Sequence, residues 1–412
     1  MPVQAEAAAF ENRSATERTR KAGWVVADTI ADDTAAATAE PWWAAPAPRP
    51  CRQSEDAAAA RQRDLTKPPG ALGRLEDLAI YLAALQRTAT PTADACEAII
   101  FAADHGVTIH GVSPYPAEIT AQMVANFARG GAAISVMART LGVRLQVVDV
   151  GVARDPVLTA DAGHVVTDKT AAGTADFTRQ PAMSNAGCSG ALAAGRRAVD
   201  RALATPTDVL ILGDMGIGNT TAAAALTSVL TGRAPAEVTG PGTGLDPAGV
   251  SAKAGVIARA LATHDLATPS GARADTAEGT AAHALRALTC VGGFEIAAIA
   301  GAAIAAAQAG RPVLVDGFIV TAALAVAVRL NPTIAPYMIF AHRSAEPGHT
   351  ALLADLDAAP LLDLNLRLGE GTGAAAALPL LRLACATHGA MATFAEAGLT
   401  DGPVEARERA AP

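Results

Sequence analysis

Apolar positions first recur with helical spacing from Ser54 onward, in SEDAAAARQRDL and then in GRLEDLAIYLAALQ, and this periodicity predicts two helices. Lys67, Pro68, Pro69 and Gly70 stand between them. Proline cannot continue a helix and glycine punctuates it, so a turn is expected there. Beyond the second helix, short apolar runs alternate with longer helical ones. The short runs, candidate strands, are 98–103, 145–149, 209–212, 313–315, 337–340 and 361–363. Most are followed by a glycine-rich or polar loop and a helical segment, which is the order of βαβ units. The fold class expected is therefore α/β: a Rossmann-like parallel sheet with flanking helices. The apolar stretches 297–308 and 318–328 are interrupted well before the roughly 18 residues that a membrane span requires. They read as buried helices, and no membrane span is expected.

Polar residues gather where the predicted strands end. Asp104 and His105, Asp149, Asp214, Asp316, His342 with Ser344, and Glu370 a few residues past the last run all fall at that end. In an open parallel sheet, loops and helix N-termini converge beyond the carboxyl ends of the strands, so these arrivals predict one site. Residues 1–54, by contrast, are rich in Ala, Glu, Thr and Pro, end near PWWAAPAPRP and keep no sustained period. They read as a mobile extension in which Trp42 and Trp43 make only a loose local contact.

Composition narrows the partners. Hydrophobic residues make up 51% of the chain but aromatic ones only 3%, so the core must be built mainly from Ala, Val, Leu and Ile, and backbones can approach closely. The 32 basic and 40 acidic residues leave a net charge of −8 with no basic stripe, and a nucleic-acid partner is not expected. Five scattered cysteines without a CxxC pair argue against a disulfide framework or a structural zinc site and suit a reducing cytoplasm. Glu6, Glu11, Arg13 and Arg18 occupy the place of a signal peptide's apolar core, so export is not expected.

Three glycine-rich segments carry candidate chemistry. VLILGDMGIGNTTAAAAL reads as strand, loop and helix. Gly213, Gly216 and Gly218 let backbone N–H groups turn outward, and the helix start near Asn219 or Thr220 adds a partial positive charge suited to phosphate. The spacing is neither GxxxxGK[ST] nor GxGxxG, and alone it is equally an ordinary N-capped turn. A second loop, TGPGTGLDPAGVSAKAGV, precedes a helix bearing Lys253, whose ammonium complements such donors; the plain reading of that lysine is a solvated helix face. LRLGEGTGAAAALPLL places Glu370 between glycines just before an alanine-rich helix. It is either an acid enjoying the helix dipole or a carboxylate left open to a ligand as a general base. The pairs His105/His110 and His342/His349 lack i, i+4 spacing and an HExxH, so a metal is not expected. Gly187, Cys188, Ser189 and Gly190 do not form the GxSxG elbow of a serine nucleophile.

Together with LTKPPGALGRLEDLA, FAADHGVTIHGVSPYPAEITAQMV, VGGFEIAAIAGA, VLVDGFIVTAAL and AHRSAEPGH, the segments LGDMGIGNTT, GPGTGLDPAG and LGEGTGA occur in one order between about Arg61 and about Leu383. In this the chain resembles the nicotinate-nucleotide:dimethylbenzimidazole phosphoribosyltransferase family. The resemblance implies transfer of 5-phosphoribose from nicotinate mononucleotide to 5,6-dimethylbenzimidazole, without a cofactor, giving α-ribazole 5′-phosphate and nicotinate. Glu370 would accept the N–H proton of the incoming base. Ser113, Gln122 and Leu368 would line the base pocket. Asp214, Gly216, Gly218, Asn219, Thr220, Lys253 and Ser344 would hold the nucleotide. Asp214 stands where a glutamate is expected in the family, which puts its ligand contact in question, and MSNAGCSGALAAG replaces an expected charged helix. The resemblance also implies a homodimer. Each chain would have a large α/β domain (96–375) and a small helical domain assembled from 55–95 and 376–412. A non-catalytic nucleotide or benzimidazole binder on the same fold is the alternative, and a dinucleotide-dependent oxidoreductase is opposed by the glycine spacing.

Overall fold

The computed structural model describes residues 41–158, 162–266 and 277–400. Six strands form one sheet: β1 (Cys96–Ala103), β2 (Arg144–Gly151), β3 (Val165–Thr167), β4 (Val209–Met215), β5 (Val313–Val315) and β6 (Met338–Phe340). Every neighbouring pair is parallel, in the order β3-β2-β1-β4-β5-β6. The chain winds outward from β1 in one direction and then from β4 in the other, so the switch point lies between these two strands, where an open α/β sheet binds its ligands. β1 is buried along its whole length; with both faces covered, its apolar run need not alternate.

Thirteen helices are described: α1 (Arg52–Asp64), α2 (Arg74–Gln86), α3 (Ile119–Ala128), α4 (Ala133–Leu141), α5 (Asn185–Ala202), α6 (Asn219–Thr231), α7 (Pro235–Val238), α8 (Pro247–Thr263), α9 (Ala277–Val291), α10 (Phe294–Gln308), α11 (Phe318–Leu330), α12 (Pro347–Asp355) and α13 (Thr372–Ala390). Ile99, Phe101 and Ala103 of β1 face a core built with α5, α6, α9, α10 and α11. Ala98, Ile100 and Ala102 face a second core with α2, α3, α4 and α13. No described helix is long and apolar enough to cross a membrane.

The scarcity of aromatic residues has its counterpart where α5 crosses α10. A Cβ on Gly195 would lie 1.9 Å from the Ala298 carbonyl oxygen, and one on Gly301 would lie 2.0 Å from that of Leu192. Backbone rests on backbone at this crossing. The small, uncharged MSNAGCSGALAAG segment suits it, because a charged helix would have to bury its charges against the apolar face of α10. Ser184 caps α5 by accepting the Gly187 N–H at 3.0 Å.

The early and late helices meet. Arg61 of α1 donates through Nε to the His388 carbonyl of α13 at 2.7 Å, and Leu65 bridges Thr393. In the turn between α1 and α2, the buried Lys67 ammonium pairs with Glu76 at 2.8 Å, while Glu76 also accepts the N–H groups of Gly70 and Leu72.

Two sequence expectations need correction. Residues 361–363 form no strand: only Leu362 makes an isolated bridge, to His342. The sixth strand is instead the short edge strand β3, whose three residues Val165–Thr167 are too few to stand out as an apolar run. Nor is the whole of 1–54 loose. Residues 1–40 lie outside the described residues, as do 401–412 of the segment expected to complete the small domain, but 41–51 are fastened to the body. Gln308 donates to the carbonyls of Trp42 and Ala45, Asn331 to those of Trp43 and Ala45, and Tyr337 to that of Pro48. Trp42 stacks edge-on with Trp43 at 5.9 Å and lies under the Arg196 guanidinium at 5.2 Å. Several carbonyl groups along this strap find partners in residues far along the chain, which local periodicity does not reveal.

Candidate active site

Glu370 lies in the loop that leads from the rim of the sheet into α13. Gly369, Glu370 and Gly371 take left-handed φ values of 81°, 62° and 78° in succession. For a residue with a Cβ this costs about 1 kcal/mol, so packing must impose it. Gly213 of β4 allows the loop to lie directly against the strand: a Cβ there would meet the Gly371 nitrogen at 2.6 Å and the Glu370 carbonyl carbon at 2.7 Å. Glu370 is 6% exposed, and its Oε2 has no hydrogen-bond partner within the protein. Burial pushes its pKa up to about 7, helped by the negative charge of Asp316 and opposed by the Ile134 N–H at the start of α4. A carboxylate with that proton affinity suits general base work near neutrality.

Two further carboxyl groups flank it with opposite tendencies. Asp214, at the end of β4, is raised well above the ordinary range by burial and by the neighbouring acids Asp316, Glu295 and Glu370, against one hydrogen bond from Asn219 Nδ2 at 2.8 Å. Asp316, just past β5, is as deeply buried. Its hydrogen bonds and the neighbouring His342 nevertheless outweigh burial and leave its pKa below the ordinary value. Asp214 and Asn219 thus bond to each other beneath the loop.

The two other glycine-rich segments converge beside this group. Gly216 passes so close to β1 that a Cβ would lie 2.6 Å from the Ala103 carbonyl oxygen, and Gly218, with φ 94°, opens α6. Lys253 is 1% exposed, so it does not lie on a solvated face of α8. Its Nζ donates to Thr220 Oγ1 at 2.7 Å and lies 3.4 Å from the Gly240 carbonyl. Burial lowers its pKa to about 8 against the pull of Glu346. Glu346 accepts the Gly242 N–H through Oε1 at 2.9 Å, and its Oε2 is buried without a partner. Burial raises its pKa, against Lys253 and the Gly242 N–H. Ser344, two residues earlier, donates its N–H to His349 Nδ1 at 2.8 Å. Thr220 and the loop 240–244 therefore form one lobe around the Lys253 ammonium, and Ser344 adjoins it through Glu346, whose N–H its hydroxyl accepts.

The proposed base-pocket residues are placed less tightly. Ser113 bonds Thr243 through hydroxyl groups 3.0 Å apart, which joins its segment to the 240–244 loop. Gln122 is exposed on α3; the tie from that helix to the site is made by Thr120, whose hydroxyl accepts the Ile217 N–H at 3.2 Å. Leu368 is 60% exposed beside Glu370. Sequence reasoning left out Glu346 and Arg367, whose Nη1 donates to the Gly242 carbonyl at 2.9 Å and so joins the Glu370 loop to the Lys253 lobe. Their only local signal is position: Glu346 lies within AHRSAEPGH and Arg367 directly precedes LGEGTGA. His105 pairs with Glu295 at 2.6 Å below Gly216, with both side chains fully buried. Among the described residues no group of His, Cys, Asp and Glu is arranged to hold a metal ion.

Comparison with known proteins identifies the family. A family model described as phosphoribosyltransferase matches residues 47–399. The nicotinate-nucleotide--dimethylbenzimidazole phosphoribosyltransferase of Pseudomonas putida is 53% identical over 88% of this chain and 99% of its own length. That of Xanthomonas oryzae is 53% identical over 85% and 96%. The crystal structure of CobT from Thermus thermophilus superposes with a TM-score of 0.77 at 43% identity, covering 85% of this chain and all of that one. A parallel sheet with its acids and glycine loops at one rim, matched in sequence over nearly its whole described length, makes this chain a member of the dimethylbenzimidazole phosphoribosyltransferase family.

Proposed function

We propose that the protein transfers 5-phosphoribose from nicotinate mononucleotide to 5,6-dimethylbenzimidazole, releasing nicotinate and forming α-ribazole 5′-phosphate. One nitrogen of the benzimidazole attacks C1′ of the ribose while Glu370 takes the proton from the other. The C1′–N bond to the pyridinium ring breaks with its electron pair passing to the ring nitrogen. The leaving group departs as a neutral ring, so no acid need protonate it, and displacement from the opposite face converts the β-linkage into α. The observation that carries this reading is the buried Glu370 carboxylate. It has one oxygen unpartnered and a pKa of about 7, and it stands beside a lobe built for an anion.

In this reading Lys253, Thr220, Ser344 and the N–H groups around Gly216 and Gly218 hold the phosphate and ribose, with Asp214 and Asn219 framing the loop from below. Ser113, Gln122 and Leu368 border the benzimidazole. The 55–95 segment and the described part of 376–412 form a small helical domain beside the 96–375 domain, as the Arg61–His388 contact suggests. The protein acts as a homodimer in the cytoplasm, where its five unpaired cysteines would stay reduced.

The test is to mix the purified protein with both substrates and identify the products, for the wild type and for Glu370→Gln. Removing a general base is expected to lower turnover by about 10²- to 10⁴-fold with a much smaller change in nucleotide affinity. Tight binding of both substrates without release of nicotinate would point instead to a non-catalytic binder. Wild-type turnover in the Gln variant would remove Glu370 from the mechanism.

A further inference from the structure

The left-handed run at 369–371 needs an anchor, and the residue that supplies it lies more than fifty positions away. Asp316, 1% exposed at the end of β5, spans the Glu370 loop and the first turn of α13 with a single carboxylate. Its Oδ2 accepts the Gly371 N–H at 3.1 Å and its Oδ1 accepts the Ala374 N–H at 3.0 Å. Gly371 is the N-cap of α13 and has no side chain of its own to cap the helix, so Asp316 performs that task from a neighbouring strand. Behind it stands His342, from the end of β6, with Nε2 3.6 Å from Asp316 Oδ1. The imidazole fills a slot that only glycine leaves open: a Cβ on Gly373 would lie 1.9 Å from His342 Cδ2, and one on Gly317 would lie 3.2 Å from its Nε2.

We infer that Asp316, backed by His342, is the positioning residue of the catalytic loop: its two backbone hydrogen bonds fix the stretch that presents Glu370. Both Asp316 oxygens are engaged by backbone N–H groups, so it acts on the reaction through Glu370. The groups that bear on Glu370 are Asp316 and the Ile134 N–H, and Glu370 in turn bears on Asp214; burial also raises Glu370, while His342 and the backbone N–H groups hold Asp316 in its charged form. A neutral residue at 316 therefore removes both an anchor and a source of basicity.

This inference rests on Glu370 being the base, and the experiment separates the two. Turnover and the pH dependence of kcat/KM for the benzimidazole are measured for the wild type, Glu370→Gln, Asp316→Asn and Asp316→Glu. Protonation of the benzimidazole itself contributes equally to every profile, so the difference between enzymes is the readout. Asp316→Asn is expected to lose about 10- to 100-fold in turnover, the scale of a small misplacement of a reacting group. Its acid limb should move to lower pH, with the KM for the nucleotide little changed. Asp316→Glu keeps the charge but is a methylene too long to meet both N–H groups. Its acid limb should stay with the wild type and its turnover fall between the other two. If Asp316→Asn does not fold, the same prediction for Asp316→Glu carries the test alone, and a shifted limb in that variant overturns the inference. A turnover loss in Asp316→Asn without a shifted limb makes Asp316 an ordinary helix cap and also overturns it, as does wild-type turnover in that variant. If Glu370→Gln keeps its turnover, Glu370 is not the base, and the failure lies with the assignment of function.

Discussion

Replacing Lys253 by Met should separate the stability of the empty protein from its hold on the nucleotide. The ammonium is 1% exposed and has Thr220 and the Gly240 carbonyl as hydrogen-bond partners. Burial lowers its pKa from 10.5 to about 8 even with Glu346 pulling the other way. The folded chain therefore holds this proton less tightly than the unfolded one. The resulting penalty is complete below about pH 8 and fades as the pH rises towards 10.5, where both states are neutral. A displacement of that size corresponds to ~3 kcal/mol of destabilisation at neutral pH. Met removes it but also loses the Thr220 hydrogen bond, worth ~1 kcal/mol, which leaves a net gain of roughly 1–2 kcal/mol. For a chain of this length that raises Tm by about 1–3 °C. The bound nucleotide reverses the balance, because a phosphate turns the buried cation into a paired one. Losing a hydrogen bond to a charged group costs about 1.5–3 kcal/mol, or roughly a 10- to 100-fold higher KM for the nucleotide. Thermal unfolding without ligand at about pH 7 and about pH 9.5, together with initial rates over a range of each substrate, measures both effects. The stabilising effect should be smaller at the higher pH. A variant with lower Tm and unchanged nucleotide KM, or with KM raised equally for nucleotide and base, would refute the reasoning.

Gly213→Ala should push the Glu370 loop away from β4, since its Cβ would meet Gly371 and Glu370 backbone at 2.6 and 2.7 Å. Overpacking of this kind costs about 1–3 kcal/mol, and turnover should fall further than a matched loss of stability explains; normal turnover with normal urea unfolding would contradict the close approach. His349 accepts the Ser344 N–H at Nδ1, so Nε2 carries the proton that reaches Thr321 Oγ1 at 3.0 Å, and burial with the nearby His342 lowers its pKa to about 3. The unfolded chain takes up this proton below pH 6.5 while the folded one refuses it, so this site's contribution to stability falls as the pH drops from 6.5 towards about 3; His349→Gln should flatten that slope and raise the nucleotide KM through Ser344. Urea midpoints at about pH 5 and about pH 7.5 check the first part, and identical pH slopes in the two proteins would rule it out.

How much of this site could be read from the chain depended on whether a residue's neighbours in space are also its neighbours in sequence. Gly369 and Gly371 bracket Glu370, and a carboxylate held in a glycine-lined loop was legible for that reason. The buried apolar runs of β1, β4 and β5 were legible too, since a strand covered on both faces has no polar positions to blur it. Lys253 was not: in AKAGV on an alanine-rich helix it looks solvated, and its burial comes from a loop almost a hundred residues later that brings Glu346 under Gly242. Asp316 was visible as a strand-end acid, but its task was hidden because both its partners belong to α13 and the loop before it.

The three central acids show the same point in chemical terms. Asp214, Asp316 and Glu370 are all buried, and burial alone would push every one of them towards the protonated form. Asp214 receives one neutral hydrogen bond, from Asn219, among the neighbouring acids Asp316, Glu295 and Glu370, and is raised well above the ordinary range. Asp316 receives two backbone N–H groups and has a histidine beside it, and is held charged. Glu370 receives only the Ile134 N–H and titrates at about 7. The donors and like charges that each carboxyl group meets, which the fold decides by where each loop ends, divide three similar groups into one pushed towards its protonated form, a charged anchor and a base.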